Sequence, residues 1–465
     1  MPTYTPPGVF FKNSTASNFT SSAVSPASVG IFGLPQATAT LTEEIVIPAD
    51  VSGSSVASSP LSKANASVSS ITLTGSDTVL KANTDYKLET SKTGDDIFTT
   101  IRRADSSTAL TGTTRTSVTV TYTYTASNLY EPLRFSTVAD VEAFYGVSVS
   151  GTYEVNSPIS LAARLAFLNG ASTVICVAVK SSSPSDIEAA INKLASQTDV
   201  AIVVPAVGDP AVFSAVASSV KKASDSELER RAIMGIDGST QDKDSTAFTS
   251  AASSVKSSRC IVVAPGSADY QVDSGKTIKL GGQYLAAALA GVAISLDVQV
   301  PLTRKRVYGF TAVDDSFDAG EKNILSAAGV CVIEQTVTGI TRVRHGVTTD
   351  NSSKNTSEWS ITGSADYVIS NLRSTLDSAD YIGSPVTDTT VLSIKGLMDA
   401  FLTSSVADGV IGSYDNLTVA KRTSEPDVID ISVEIGFLYP LNRIYVTLTS
   451  SSLTGGTTVT ASDRA

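Results

Sequence analysis

The chain has 465 residues, enough for two to four domains of ordinary size, and its 42% hydrophobic content excludes a disordered polymer. Charge is sparse: 34 Lys+Arg against 45 Asp+Glu leave a net −11, with charged residues at 17% where about 25% is usual. That balance argues against sequence-independent nucleic-acid binding, which depends on Lys and Arg displacing phosphate counterions, and it leaves packing and backbone pairing to hold the protein's contacts.

At the start, PPGVFFK (6–12) is an apolar strand-former followed by a Ser-, Thr- and Asn-rich linker over 13–24. The start lacks the charged beginning and apolar core of a secretory signal, and no stretch reaches the ~18 to 20 apolar residues of a membrane span. SPASVGIFGLP (25–35) reads as a buried strand. Residues 42–129 change character, with alternating SSITLTG and SVTVTYTYT separated by turn clusters TGSD, KTGDD and LTGTT. Period-two alternation bounded by turns predicts a small antiparallel β domain with one solvated face. Because strand-like sequence precedes it and PLRFSTVADVEAFYG (132–146), a strand, turn and helix, follows, the β unit is expected as an insertion into a larger domain.

From Thr173 short Val- and Ile-rich runs alternate with Ala-rich amphipathic stretches, as in parallel strands joined by helical crossovers. The strands are TVICVAV (173–179), VAIVVP (200–205), RAIMGID (231–237) and CIVVAP (260–265). Helices are expected at SPISLAARLAFLNG, at SPSDIEAAINKLAS with Ser185 or Asp186 as cap, at DPAVFSAVASSVKKAS with Pro210 near its start, at STAFTSAASSVKSS and at GGQYLAAALAGVAISL. Near-continuous apolar strands imply cover on both faces, hence a three-layer α/β core centred on 157–335. Beyond Val332, IEQTVTGITRVRHGVTTD reads as two strands and NSSKNTSEWS as a polar loop. Two helices follow, one with Tyr367, Ile369, Leu372, Leu376 and Tyr381 near helical spacing, one with Val391, Ile394, Leu397 and Leu402. DVIDISVEIGF then alternates through Ile429, Ile431, Val433, Ile435 and Phe437. Pro440 ends it, and RIYVTLT (443–449) is a last strand before a polar tail.

Chemical motifs are few. His345 is the one histidine, so any imidazole chemistry must pass through it. With no GxSxG elbow or other recognisable nucleophile, it reads as a structural or surface side chain, and His345→Ala is expected to leave function untouched. Cys176, Cys260 and Cys331 sit in apolar runs without CxxC spacing and read as buried small hydrophobes. Gly281 and Gly282 precede a helix without a P-loop or GxGxxG frame, so a plain turn is favoured over a phosphate cradle. Asp314, Asp315 and Asp318 form either a divalent-cation site or, in the favoured reading, a solvated loop with acids at a helix start. Asp237, Asp242 and Asp244 lack the ligand spacing of a calcium loop, and Trp359 reads as a packing anchor. No catalytic residue, cofactor or metal is assigned. At the termini, PPGVFFK and RIYVTLT are single strands on tethers, stabilised by adding to a sheet edge either of this chain or of a neighbour.

In this order the segments resemble the contractile tail sheath proteins of bacteriophages, relatives of R-type pyocin and type VI secretion sheaths. The resemblance rests on PPGVFF, SPASVGIFGLP, PLRFSTVADVEAFYG, SPISLAARLAFLNGASTVICVAV, RVYGFTAVDDSF, VRHGVTTD, DYVISNLR and DVIDISVEIGFLYPLNRIYVTLT. It covers about 1–41 and 130–465. Where the family's PGVY-type starts run into an acidic stretch, this chain reads KNSTASN. The resemblance implies an N-terminal arm and linker (1–24), a sheath core (25–41 plus 130–440), an inserted β-rich outer domain (42–129) and a C-terminal arm (441–465). It implies stacked hexameric rings around a tail tube that contract to drive the tube through the host envelope during genome ejection. Partners would be further copies of the chain, the tube protein, and baseplate and tail terminator proteins, with no nucleic acid and no membrane insertion. The product would be a virion component assembled in the host cytoplasm. Linking strands would be Val9, Phe10, Phe11 and Lys12 at one end and Ile444, Tyr445, Val446, Thr447 and Leu448 at the other, with Ile429, Ile431, Val433, Ile435 and Phe437 in a receiving sheet. Rival readings are a secreted surface-layer or adhesin-like protein and an α/β hydrolase-like enzyme.

Overall fold

The computed structural model describes residues 28–460 apart from 37, 38, 94, 95, 125–128, 274, 315, 379, 380, 453 and 454. The expected linking residues Val9, Phe10, Phe11 and Lys12, and Asp315, lie outside the described residues. Strand β1 (Ser28–Gly33) is followed by an antiparallel unit: β2 (Ala39–Ile47), β3 (Ala66–Leu73), β4 (Tyr86–Thr93), β5 (Asp96–Arg103) and β6 (Thr116–Tyr124). These form a three-stranded sheet ordered β2-β6-β3 and a ribbon β4-β5. They enclose their own core, in which Ile45, Ile71, Ile101, Val118, Val120 and Tyr122 are buried.

The chain then builds β7 (Pro132–Phe135), α1 (Val138–Tyr145), α2 (Pro158–Leu168), β8 (Val174–Ala178), α3 (Pro184–Ala195) and β9 (Val200–Pro205). A 3-10 turn at Pro210–Val212 leads into α4 (Phe213–Asp225), then β10 (Arg231–Gly235), α5 (Ser245–Val255) and β11 (Cys260–Ala264). Next come β12 (Ser267–Asp273), β13 (Lys276–Gly281), α6 (Gly282–Ser295), β14 (Ala312–Val313), α7 (Ala319–Ala327), β15 (Val330–Gln335) and β16 (Thr341–Val343). The main sheet is ordered β16-β15-β11-β10-β9-β1-β8-β7. Its six inner strands are parallel, and both ends are closed by antiparallel strands. β1, which precedes the antiparallel unit in sequence, lies in the middle of this sheet.

Both faces are apolar, which is why the strands read as continuous hydrophobic runs. Along β8, Val174, Cys176 and Ala178 face α2 and α6, while Ile175 and Val177 face the layer of α3, α4, α5 and α7. Helix α6 is buried from Gly282 to Ala293. The double glycine at its start serves contact: a Cβ on Gly235 would lie 2.0 Å from Gly282 O, so neither strand nor helix tolerates a side chain there.

Several details differ from the sequence reading. The cap of α3 is Ser183, not Ser185 or Asp186, because Pro184 takes the first helical position where its missing N–H costs nothing. Asp186 accepts instead from Tyr130 and Ser181 hydroxyls, each at 2.6 Å. The polar stretch NSSKNTSEWS is no plain loop: it holds α8 (Lys354–Ser357), capped by Ser353, and opens α9 (Trp359–Ser378). After α10 (Asp388–Ala407), a strand absent from the sequence reading, β17 (Ser413–Lys421), precedes β18 (Ile429–Gly436). The last strand begins later than expected: 441–446 take no regular structure, and β19 (Thr447–Ser452) pairs with β20 (Gly455–Thr460) instead of running singly.

Candidate functional site: an open two-stranded sheet and the C-terminal arm

Helices α9 and α10 form a platform. Val368, Leu372 and Leu376 of one meet Ile394, Met398 and Leu402 of the other, all buried. β17 and β18 lie on it, and their alternation is clean in β18: Ile429, Ile431, Val433 and Ile435 are half-buried against the helices while Asp430, Ser432, Glu434 and Gly436 face outward. Phe437 packs on the same cluster just past the strand. The expected receiving-sheet residues are therefore brought together on one face.

Among the described residues β17 and β18 form a sheet of two, with no further described strand on either edge. The Arg422 N–H donates to Val428 O at 2.9 Å. With the register Ala420↔Asp430 and Thr418↔Ser432, this turns the backbone groups of Asp430, Ser432 and Glu434 toward β17. Those of Ile429, Ile431, Val433 and Ile435 then point away, into the open edge. Arg422 stitches the turn to Asp430 and Glu425, and these carboxylates hold its guanidinium pKa above the ordinary value.

The root of the C-terminal segment is pinned to the core at Glu358. Backbone pairing of Val347 with Glu358, and Trp359 N–H to Gly346 O at 3.2 Å, fix this residue. Its side chain is 7% exposed. Oε1 accepts from Asn442 Nδ2 at 2.8 Å and lies 2.9 Å from His345 Nε2. Tyr439 OH adds a hydrogen bond to Asn355 Oδ1. Past Asn442 the chain leaves the surface: Ile444, Tyr445, Val446 and Leu448 are 74, 76, 54 and 68% exposed. Of the expected linking residues, Ile444, Tyr445 and Val446 take no regular structure, and Thr447 and Leu448 open β19. In the described residues β19 pairs with β20 and β18 with β17.

Sequence reasoning missed the seam that carries this platform. Arg259 makes a bidentate pair with Asp366 of α9 at 2.8 and 2.9 Å, both side chains nearly buried. Burial alone would lower the Arg259 pKa, but Asp366 reverses the balance and holds it above the ordinary value. Arg231 stacks its guanidinium 4.1 Å from the centroid of the Trp359 ring, and Arg373 of α9 pairs with Glu227 at 2.8 Å. Trp359, 2% exposed, is thus a packing anchor between core and platform.

The remaining candidates serve structure. Asp318 caps α7 in a reciprocal box with Glu321, Asp244 caps α5, and Asp242 pairs with Lys279 at 2.8 Å. Asp237 accepts from Ser239, and Asp314 from the Ser316 N–H at 3.0 Å. Among the described residues no group of three or more His, Cys, Asp or Glu side chains is placed to hold a metal ion, and no helix is long and apolar enough to cross a membrane. Cys176, Cys260 and Cys331 are free and fully buried.

This assembly of layers is the fold of sheath subunits from contractile injection systems. The chain superposes on a chain of the helical sheath of the anti-feeding prophage in the contracted state with a TM-score of 0.58 and 11% identity, covering 97% of this chain and 100% of that one. On a chain of the contracted sheath complex of the extracellular injection system PVC the TM-score is 0.56 at 11% identity, covering 98% and 99%. No protein-family model matches. By sequence the chain is a relative of phage tail sheath proteins: it is 36% identical over 348 residues to the tail sheath protein of Mycobacterium phage Bxz1, covering 74% of this chain and 60% of that protein. With the tail sheath protein of Bacillus phage SP01 it shares 28% identity over 199 residues, 42% of this chain and 34% of that one. The aligned region thus spans about three fifths of the Bxz1 protein and a third of the SP01 protein.

Proposed function

We propose that this chain is a structural subunit, not an enzyme, of a contractile tail sheath. It polymerises as stacked hexameric rings around a tail tube and contracts to drive the tube through the host envelope during genome ejection. The observation that carries the reading is an open two-stranded sheet beside an exposed apolar arm, within a fold shared with sheath subunits over nearly the whole chain. The arm of one subunit, from Ile444 to Leu448, and the N-terminal strand around Val9 to Lys12 add to the free edges of β17 and β18 in neighbours. Residues 42–129 form an outward-facing insertion.

Four to six backbone hydrogen bonds at a net ~0.5 to 1.5 kcal/mol each give a few kcal/mol per arm. Tethering makes this sufficient, because a subunit held at several sites meets each further edge at high effective concentration. A strand on a flexible linker stays paired while rigid bodies turn, so contraction needs no nucleotide: it runs on the difference between two subunit packings and starts when the baseplate releases the first ring. Partners are further copies, the tube, the baseplate and the tail terminator, in a virion tail assembled in the host cytoplasm. Electron microscopy of the purified protein tests this. Rings or striated tubes are expected, and deletion of residues 1–22 should leave a soluble folded core that no longer assembles. Stable monomers with both arms intact would overturn the reading.

A further inference from the structure

The outermost strand of the main sheet is basic. Beyond β16, residues 304–307 add to the sheet: Arg304 N–H donates to Val343 O at 2.9 Å, Val343 N–H to Lys305 O at 2.9 Å, and Val307 N–H to Thr341 O at 3.1 Å. Arg306 stands opposite Arg342, and Arg342 opposite Glu334. Strand alternation therefore puts Arg304, Arg306, Arg342 and Arg344 on the face of Glu334. That carboxylate meets Arg342 and Arg344 at 3.0 Å each and Arg304 at 3.5 Å. Three guanidiniums share one carboxylate and Arg306 adds a fourth positive charge on the same face, on a chain of net −11, and the Arg304 side chain is 61% exposed.

The opposite imbalance lies on the solvent face of β17–β18. The two strands carry the exposed acids Asp415, Asp430 and Glu434, of which Asp430 is paired with Arg422. The register sets Asp415 directly across from Glu434, both exposed, and neither is ion-paired among the described residues. Like charges directly opposite destabilise a sheet unless a cation faces them.

The geometry points to a contact between copies: the arginine quartet of one subunit docks on the Asp415–Glu434 face of another. Each cluster supplies what the other lacks, and because the two patches differ, the contact is head-to-tail, the type that closes rings or continues as a helix. It is separate from strand exchange, which uses the edges of β17–β18, whereas this contact uses its outer face. It rests on the sheath reading only in that copies must associate.

The test combines charge reversal with cross-linking in the full chain. Arg304→Glu with Arg306→Glu, or Asp415→Arg with Glu434→Arg, should each raise the concentration needed for assembly by about tenfold or more, since like-charge juxtaposition is costly. All four changes in one chain should return it to within about threefold of the parent. Separately, Arg306→Cys and Asp415→Cys proteins, mixed, should join through a short bifunctional thiol reagent, the native cysteines being fully buried. A cysteine at Thr78 in place of Asp415 should not. Assembly unaffected by either reversal, or a quadruple variant that melts like the parent yet fails to assemble, overturns the proposal. Reversals that spare self-assembly but weaken binding to isolated tail tubes would assign the arginines to the tube and overturn it equally. If the parent forms only small oligomers and the cross-link still appears, the contact stands and the sheath reading falls; a monomer without cross-link removes both.

Discussion

Val433→Pro probes the open edge of β18 without disturbing its paired side. The Val433 N–H points away from β17, whereas that of Ser432, one residue earlier, points toward it. Proline at 433 removes one outward donor from the four at Ile429, Ile431, Val433 and Ile435, and its ring occupies the approach of an added strand. The lost bond is worth a net ~0.5 to 1.5 kcal/mol, and the carbonyl left unsatisfied on the incoming strand costs about 1 to 3 more. A loss of about 1.5 to 4.5 kcal/mol weakens arm binding roughly 10- to 1,600-fold, comparable to the whole contribution of one arm. The free subunit should hardly change, because proline is tolerated on an edge strand. Ser432→Pro is the control: it breaks the β17–β18 ladder itself and should lower the melting temperature of the monomer. The measurements are thermal melts of unassembled subunit and electron microscopy of assembly against concentration. If Val433→Pro assembles at the parent's concentration, or if the two prolines have the same effects, β18 is not a receiving edge.

Asp366→Ala should cost about 3 to 5 kcal/mol in denaturant unfolding, because it leaves Arg259 buried beneath α9 without its carboxylate; replacing both by apolar residues of similar volume, Arg259→Met with Asp366→Leu, should recover most of that loss. The three thiols should resist alkylation in the native protein at pH 8, and they also give stability a pH limit. Burial pushes Cys260 and Cys331 up to about 12, so below about pH 9 folded and unfolded states are both protonated, and above it only unfolded thiols ionise and stability falls as pH rises. Native-state labelling at pH 8 faster than unfolding, or a flat stability profile from pH 8 to 11, would contradict this account.

The core was legible because its strands are buried on both faces: TVICVAV or CIVVAP has no other economical fate in a soluble α/β layer. β18 was legible for the complementary reason, since one face is wet and strict alternation survives. Its partner β17 was not, because a register shift between Asp415 and Thr418 breaks the alternation of Tyr414, Leu417 and Val419. The Glu358 node was hidden for a different reason. It joins residues 84 positions apart, Glu358 and Asn442, and nothing in either local stretch signals the other. The same holds for Arg259 and Asp366, 107 positions apart. Ionic seams between layers leave no periodic trace, whereas apolar faces do.

Fixing the arm at Asn442 has a mechanical consequence for the proposed sheath. From Asn442 to Ile444, where the proposed linking strand begins, only residue 443 bridges core and strand. At about 3.3 to 3.6 Å per residue the two steps reach roughly 7 Å. The linker at the other end, 13–24, has twelve residues and reaches about 40 Å on the same scale. The two arms are therefore unequal hinges. Any neighbour that receives the C-terminal strand must keep its sheet edge close to Glu358 throughout a rearrangement, so that joint acts as the pivot. In the proposed sheath, large displacements would fall to the N-terminal joint, whose linker sequence is the longer. Weakening the pin should change this division: once Asn442 is freed from Glu358, the tether lengthens back to Tyr439, whose hydroxyl holds Asn355, and the pivot shifts toward that residue while both strands remain able to pair.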